Sequence, residues 1–477
     1  MEENFAVTAD TIVGKAVFAA AEFNQFSQKQ TDSVVEAVFR AGFTNRVKLA
    51  KMAHEETGMG IWEHKVIKNV LGSQLVYESI RDEKTVGVIS SDPLTGITEI
   101  AQPLGPVLAV IPVTNPTSTV LFKILICLKT RNPIIISAHR GAVKSCTEAV
   151  RICYEAAIAA GAPEECIQMM PSGNREFTQM MMSHPKIALI LATGGTGLVR
   201  AAYSSGNPSI GVGPGNVPVF IDETADIPFA VSSIISSKTF DNGMICASEQ
   251  AVVVEKSIEK QVREEFERQN CYFLSEEEIR KVERVAVVPE TGGMNPAIVG
   301  QSVSVIAEQA GIAVPVGTRI LIAKLEGIGL DYPLSVEVLA PILAFYSAGN
   351  YTAAVNSCID LNYLGGIGHT ACIYSNNERH ILEFSELMNA GRILVNTPTS
   401  QGAVGYFHNN LQPSLTLGCG TGGKNITTEN ISARHLINIQ RVSRRKNNQL
   451  WSGFDLANYY DESLSTDEIL GNYHKNH

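Results

Sequence analysis

The sequence holds no CxxC pair, no long apolar run, no basic surplus and no fixed-period repeat, and each absence removes a class of protein. Nine cysteines, odd in number and irregularly spaced over 477 residues, make no disulfide framework. Without a CxxC pair a structural zinc site has no support, so no metal is expected. Reduced thiols in a cytosol are the plain reading of such cysteines. No uninterrupted apolar stretch approaches the roughly 20 residues that cross a bilayer. The acidic N-terminus, MEENFAVTAD, lacks the charged-then-apolar order of a signal peptide. A formal net charge of −10 argues against a general nucleic-acid binder, which needs a net basic face. The clearest basic cluster, Arg441-Val442-Ser443-Arg444-Arg445-Lys446, reads as a solvated strip. A soluble, cytoplasmic protein with neither a nucleic-acid nor a membrane partner is expected.

What is present organises itself into domains. A hydrophobic content of 45% supplies ample apolar surface to bury, and 477 residues exceed one ordinary core, so two or three domains are expected. From Ala9 to about Ile80 apolar residues recur every three to four positions, as in TIVGKAVFAAAEF and TDSVVEAVFRAGF, which predicts helices. The runs VGVI (86–89) and ITEI (97–100) flank the turn signal DPLTG and predict a hairpin arm over 86–102, a feature that usually serves as an oligomer contact. After PLGP (103–106), apolar runs such as VLAVIPV alternate with helical ones such as TVLFKILICLKT. That order predicts a parallel sheet buried on both faces in an open α/β domain. The alternation returns from Thr239 to about Leu417 and predicts a second α/β domain. From Asn447 onward the chain is acidic and polar with scattered aromatics, which fits either a flexible tail or a docking segment.

Open parallel sheets bind ligands beyond the carboxyl ends of their strands, and three loops belong there. Thr114 and Asn115 follow the first strand. Asn115 offers a neutral N–H₂ donor to an oxygen that is becoming negative, or else a turn or helix cap. Ser137, His139 and Arg140, in SAHRG, follow the next strand. Gly194, Gly195 and Thr196, in ATGGTG, lead into the helix LVRAAYSSG. Glycines there let backbone approach a pyrophosphate at a helix N-terminus, although no GxGxxG is present. Cys246 lies in FDNGMICASEQ, between a Gly-containing turn and the buried-strand run AVVV, where free backbone N–H groups can bind an oxyanion. In GGIGHT, glycines hold His369, either to move a proton or simply to pack. Glu337, in SVEVLAPIL, can accept from two adjacent hydroxyls or sit plainly at the surface.

These segments, in this order and with LGCG (417–420), resemble the CoA-acylating aldehyde dehydrogenases over about residues 10–445. Both the free-standing enzymes and the N-terminal half of the bifunctional aldehyde–alcohol dehydrogenases are similar; a second, alcohol dehydrogenase module is not expected here. The resemblance implies the α/β aldehyde dehydrogenase fold. Its parts are a Rossmann-like cofactor domain (1–85 and 103–238), an α/β catalytic domain (239–425), and a small β oligomerisation element joining 86–102 to 426–445, before a tail (446–477). It implies Cys246 as nucleophile, Asn115 with the Cys246 backbone N–H as oxyanion hole, and His369 as base or orienting group. It also implies a nicotinamide cofactor near Thr114, Ser137, His139, Arg140, Gly194, Gly195, Thr196, Gly213, Glu337 and Leu339. Glu337 would take the nicotinamide ribose. His139 and Arg140 lie where the adenine ribose binds, so NAD and NADP both stay open. A homodimer or homotetramer would follow from the fold.

One substitution separates two reaction types. Hydrolytic members place a water-activating glutamate where this chain has Gly211, and no carboxylate occurs between Glu176 and Asp222. Without that base the acyl-enzyme waits for a better nucleophile, and coenzyme A is the natural thiol. The expected reaction interconverts a short-chain aldehyde plus CoA with acyl-CoA, using NAD(P). The alternatives are a hydrolytic enzyme with an unrecognised base, an enzyme for an anionic aldehyde such as succinic semialdehyde or sulfoacetaldehyde, and a non-catalytic homologue. An anionic aldehyde would want Arg200 or Arg392 in the pocket. Gly422 replaces a tryptophan of the bifunctional members and is expected to widen that pocket.

Overall fold

The apolar periodicity of the first eighty residues becomes a run of helices, Glu2–Phe23, Gln28–Thr44, Arg46–Thr57 and Trp62–Val70. The protein is described by a computed structural model covering residues 2–171, 175–445 and 449–475. Lys446 of the basic cluster and the first residues of the expected tail lie outside the described residues. Ser27 opens the second helix through a capping box with Gln30, which satisfies two otherwise orphaned N–H groups. Trp62–Val70 runs through a single π turn, Leu71–Leu75, into Val76–Ile80. Within that turn Gly72 touches the helix Pro116–Lys129, where any Cβ would run into the Ser118 carbonyl oxygen. Beside it Thr117 Oγ1 donates to Asn69 Oδ1 at 2.9 Å. These two contacts fix the rotation of the Trp62–Val70 helix and therefore the direction of Lys65 and Lys68.

Two parallel sheets form the body. The first runs in the order Ile167–Met169, Ile134–Ala138, Val107–Ile111, Leu189–Thr193, Ser209–Val212. Val107–Ile111 is buried at every position, as a central strand covered by helices on both faces must be. The second sheet has seven strands, in the order Cys271–Phe273, Ile320–Lys324, Ile342–Ala348, Glu249–Glu255, Val217–Ile221, Gly368–Tyr374, Ala390–Val395. Val217–Ile221 therefore belongs to this sheet, upstream of position 239 where the second domain was expected to begin. Its five fully buried residues need a neighbour on each side. Pro218, which cannot donate to a ladder, sits where the register slips.

The arm forms as the sequence suggests. Gly87–Asp92 and Ile97–Pro103 pair antiparallel around a turn in which Asp92 accepts from the Leu94 N–H and the Thr95 hydroxyl. Ile437–Ser443 adds a third antiparallel strand, from the far end of the sequence. Val88, Leu94, Ile439 and Val442 stand exposed on this small sheet. The described part of the tail is three short helices, Gln449–Ser452, Ala457–Tyr460 and Thr466–Lys475, gathered by Phe454 between Tyr459 and Tyr473. No helix among the described residues is long and apolar enough to cross a membrane.

Candidate active site

The carboxyl ends of the five-stranded sheet and the amino ends of the seven-stranded sheet meet at one site, joined by Lys68 between Asn115 and the Met244 carbonyl. Cys246 reaches it from the turn before Glu249–Glu255, and His369 from the start of Gly368–Tyr374. His369 Nε2 lies 3.3 Å from Cys246 Sγ. Gly215 passes so close to both that a Cβ would stand 3.1 Å from the His369 ring and run into the Cys246 carbonyl oxygen.

Burial pushes the Cys246 thiol up to about 12, with nearby Glu337 and Cys419 acting in the same direction and Arg392 opposing them. Burial, reinforced by the Arg392 charge, pushes His369 down to about 3. The resting pair is a neutral thiol beside a neutral imidazole. His369 Nδ1 contacts Thr370 Oγ1 at 3.0 Å, and that hydroxyl also receives Arg392 Nε at 3.3 Å. Thr370 and Arg392 are register partners across two parallel strands.

Asn115 ends the loop after Val107–Ile111 and caps no helix N–H with its side chain. Its Oδ1 accepts from Lys68 Nζ at 2.6 Å, and its Nδ2 lies 3.2 Å from Thr114 Oγ1. Lys68 also donates to Asp241 Oδ2 at 2.5 Å and to the Met244 carbonyl at 2.8 Å. Lys65 reaches the same Asp241 oxygen at 3.0 Å. All three side chains are buried. Burial pulls Lys68 down to about 8 against the attraction of Asp241. Burial likewise works against the Asp241 charge, but Lys68 and Lys65 outweigh it and hold that carboxyl below its ordinary range. Asp241 and Asn242 hold left-handed backbone, with φ of 51° and 53°, a costly conformation that tends to collect at functional sites. Sequence reasoning missed Lys65, Lys68 and Asp241.

The three expected cofactor loops lie together at the carboxyl edge of the five-stranded sheet. Gly195 caps the helix Thr196–Tyr203 without a side chain, leaving the first N–H groups open to an anion. Just before it, Thr193 Oγ1 is buried with no hydrogen-bond partner. Ser137 is buried, while His139 and Arg140 are exposed. His139 Nδ1 accepts from the Gly141 N–H at 3.1 Å; partial desolvation of the ring, which is only half enclosed, and the Arg140 charge lower its pKa, so it is a neutral turn cap. Glu337 Oε1 accepts from the Gly215 N–H at 2.9 Å. Burial pushes its carboxyl up to about 7, against the pull of that N–H and of Lys238. The Leu339 N–H meets the Met294 sulfur at 2.9 Å, which orients the residue two places after Glu337. An uncapped helix end, an orphaned hydroxyl and a carboxylate at the cleft fit a dinucleotide. Gly213 lies in the crossing between the two sheets, with open space where its Cβ would be.

Five further positions bear on the reaction and its substrate. A Cβ on Gly211 would stand 2.8 Å from Val199 and 3.2 Å from Tyr203 Oη. The Tyr203 hydroxyl bonds both the N–H and the carbonyl of Gly211, so the tyrosine fills the place of a longer side chain. A Cβ on Gly422 would run into Ile367, so the space beside that glycine is already taken by Ile367. Arg392 is spent on His369 O, Thr370, Thr428 O and Asn430 and has no free edge for a substrate anion, while Arg200 is exposed. Cys419 is buried, and its Sγ is turned to the Leu417 carbonyl at 3.3 Å.

Comparison with known proteins gives the family. The profile of the aldehyde dehydrogenase family matches residues 2–270. The bifunctional aldehyde-alcohol dehydrogenase of Escherichia coli K12 is 46% identical over 473 residues, which are 98% of this chain and 53% of that protein. The chain thus spans about half the length of the bifunctional relatives it matches. The acetylating aldehyde dehydrogenase of Geobacillus thermoglucosidasius, a solved structure, is 45% identical with a TM-score of 0.91 over 93% of this chain and 98% of that one. A propionaldehyde dehydrogenase of Rhodopseudomonas palustris, solved with bound propionyl-CoA, is 27% identical with a TM-score of 0.81 over 91% and 94%. Similarity of this extent, to the family profile and to a whole acetylating enzyme alike, means that the chain belongs to the aldehyde dehydrogenase family, among its acylating members.

Proposed function

We propose that the protein interconverts a short-chain aldehyde and coenzyme A with the corresponding acyl-CoA, through a thioester on Cys246 and with NAD or NADP. The observation that carries this reading is the Cys246–His369 pair beside a Gly211 position closed by Tyr203. The thiol has a base at hydrogen-bond distance, and the place of the hydrolytic glutamate is filled. The propionyl-CoA bound by the R. palustris relative supports the same choice of acyl acceptor.

His369 Nε2 takes the Sγ proton as sulfur adds to the aldehyde carbon, and Asn115 Nδ2 with the Cys246 N–H donates to the oxygen as it turns negative. A bound nicotinamide would supply the hydride acceptor for that carbon. Gly194, Gly195 and Thr196 with the helix end behind them would hold its pyrophosphate, Glu337 its ribose, and Ser137, His139 and Arg140 the far nucleoside. Once His369 has passed the first proton to solvent, it takes the CoA thiol proton as CoA sulfur attacks the thioester, and it returns that proton to Cys246 Sγ as the acyl–Sγ bond breaks. Each step is reversible. A cofactor domain built on the five-stranded sheet and a catalytic domain built on the seven-stranded one fit this division of work. The exposed apolar residues of the arm support a homodimer or homotetramer, and nine free thiols fit a reducing cytoplasm.

The test is NAD(P)H production from a panel of short neutral and acidic aldehydes, with and without CoA. Turnover that requires CoA and vanishes in Cys246→Ala establishes the acylating reaction. Release of free acid without CoA overturns it.

A further inference from the structure

Lys68 is a buried cation that meets the site through Asn115 and the Met244 carbonyl. Its ammonium has three N–H groups and three acceptors: Asn115 Oδ1 at 2.6 Å, Asp241 Oδ2 at 2.5 Å and the Met244 carbonyl at 2.8 Å. The first belongs to the expected oxyanion donor, and the last lies two residues before the nucleophile. Asp241 also serves Lys65 at 3.0 Å and the Ile61 N–H at 2.7 Å. Two buried lysines therefore share one carboxylate, and a positive charge is left over at the amide oxygen of Asn115.

An amide presents two ends, and only the N–H₂ end can bind an oxyanion. A cation on Oδ1 decides which end faces the cleft, and it draws electron density from Nδ2, which strengthens that donor. We propose that Lys68 is a positioning residue of the oxyanion hole, holding the Asn115 amide oxygen to itself so that Nδ2 meets the developing charge, and adding its own charge through the amide. The inference rests on the reading of Asn115 as oxyanion donor. The fold is built to deliver this contact. On the Trp62–Val70 helix and its π turn, Lys68 meets Asn115, Asn69 meets Thr117 and Gly72 meets Ser118, so three successive contacts register one helix on the other. Asp241 keeps Lys65 when Lys68 is neutralised, so the substitution leaves no carboxylate unpaired.

The experiment is a double-mutant cycle of Lys68→Met and Asn115→Ala in the full chain, read by the pre-steady-state rate of NAD(P)H formation. Cofactor affinity and thermal midpoint are measured alongside. Lys68→Met is expected to slow that step by about 10- to 100-fold, less than the loss of an oxyanion donor itself. Cofactor affinity is expected to stay as in the wild type. In the Asn115→Ala background the same substitution is expected to cost less than about threefold, because its partner is gone. Independent, multiplying losses overturn the proposal, as does an unimpaired Lys68→Met beside an impaired Asn115→Ala. An unimpaired Asn115→Ala overturns instead the oxyanion reading on which it rests. Should Lys68→Met fold poorly, Lys68→Ala with added ethylammonium carries the same cycle; recovery of the rate with Asn115 present and not without it supports the proposal, and equal recovery in both overturns it.

Discussion

Cys246 Sγ and His369 Nε2 are 3.3 Å apart, and at neutral pH both are uncharged. A thiolate–imidazolium pair would hold its reactivity constant over several pH units, whereas a neutral pair gains thiolate tenfold per pH unit until the thiol titrates. Alkylation of Cys246 by iodoacetamide in the cofactor-free enzyme is therefore expected to be slow at pH 6 and to climb steadily to pH 9. A rate already at its plateau near pH 6 would show that the resting pair is charged.

Glu337 carries a second pH dependence, of opposite origin. Its carboxyl is pushed up to about 7 by burial. Ribose hydroxyls are accepted by the ionised form, which dominates above that value and is lost as pH falls through it. Nicotinamide cofactor affinity, followed by protein fluorescence, is expected to weaken below pH 7. Glu337→Gln is expected to bind weakly with no such slope. An unchanged slope in that variant would assign the titration to another group.

Restoring a glutamate at position 211 is expected to damage the fold before it creates a hydrolase. Any Cβ there meets Val199 at 2.8 Å and Tyr203 at 3.2 Å. Overpacking of this kind costs about 1–3 kcal/mol. Gly211→Glu should lower the thermal midpoint and release no free acid, whereas Gly211→Glu with both Val199→Ala and Tyr203→Ala should recover part of the stability and begin to hydrolyse the thioester. Acid release by the single variant would mean that Tyr203 does not bar the position.

The exposed apolar residues of the arm sheet are expected to lie in a subunit contact. Val442→Asp together with Val88→Asp should convert the oligomer to smaller species in sedimentation velocity while leaving the thermal midpoint of the monomer nearly unchanged. An unchanged sedimentation coefficient would remove the arm from the interface.

Much of this was legible in the sequence because strand, loop and helix follow one another along the chain. Thr114, Ser137 and Gly194 each end a strand of continuous apolar residues, and parallel strands put such ends on one edge. The hairpin of the arm was legible from two β-rich runs around DPLTG, whereas its third strand, Ile437–Ser443, was placed within 426–445 by the resemblance alone. Lys68 and Asp241 were not legible. On WEHKVIKNV the lysines occupy the polar stripe of an amphipathic helix, which ordinarily faces water, and their carboxylate lies far along the chain. Tyr203 gave no signal either, since a tyrosine at a helix end is commonplace until Gly211 is placed beside it. Val217–Ile221 was assigned to the wrong side of the expected boundary because a buried apolar strand looks alike in either sheet.

The last strand of the arm, Ile437–Ser443, also sets an order of events during synthesis. The hairpin Gly87–Asp92 and Ile97–Pro103 leaves the ribosome early, with one edge of Ile97–Pro103 unpaired until the closing strand emerges. Throughout that interval both parallel sheets can be completed, but the sheet carrying Ile439 and Val442 cannot. The free edge of Ile97–Pro103 is thus covered only after every strand of the two parallel sheets has been made.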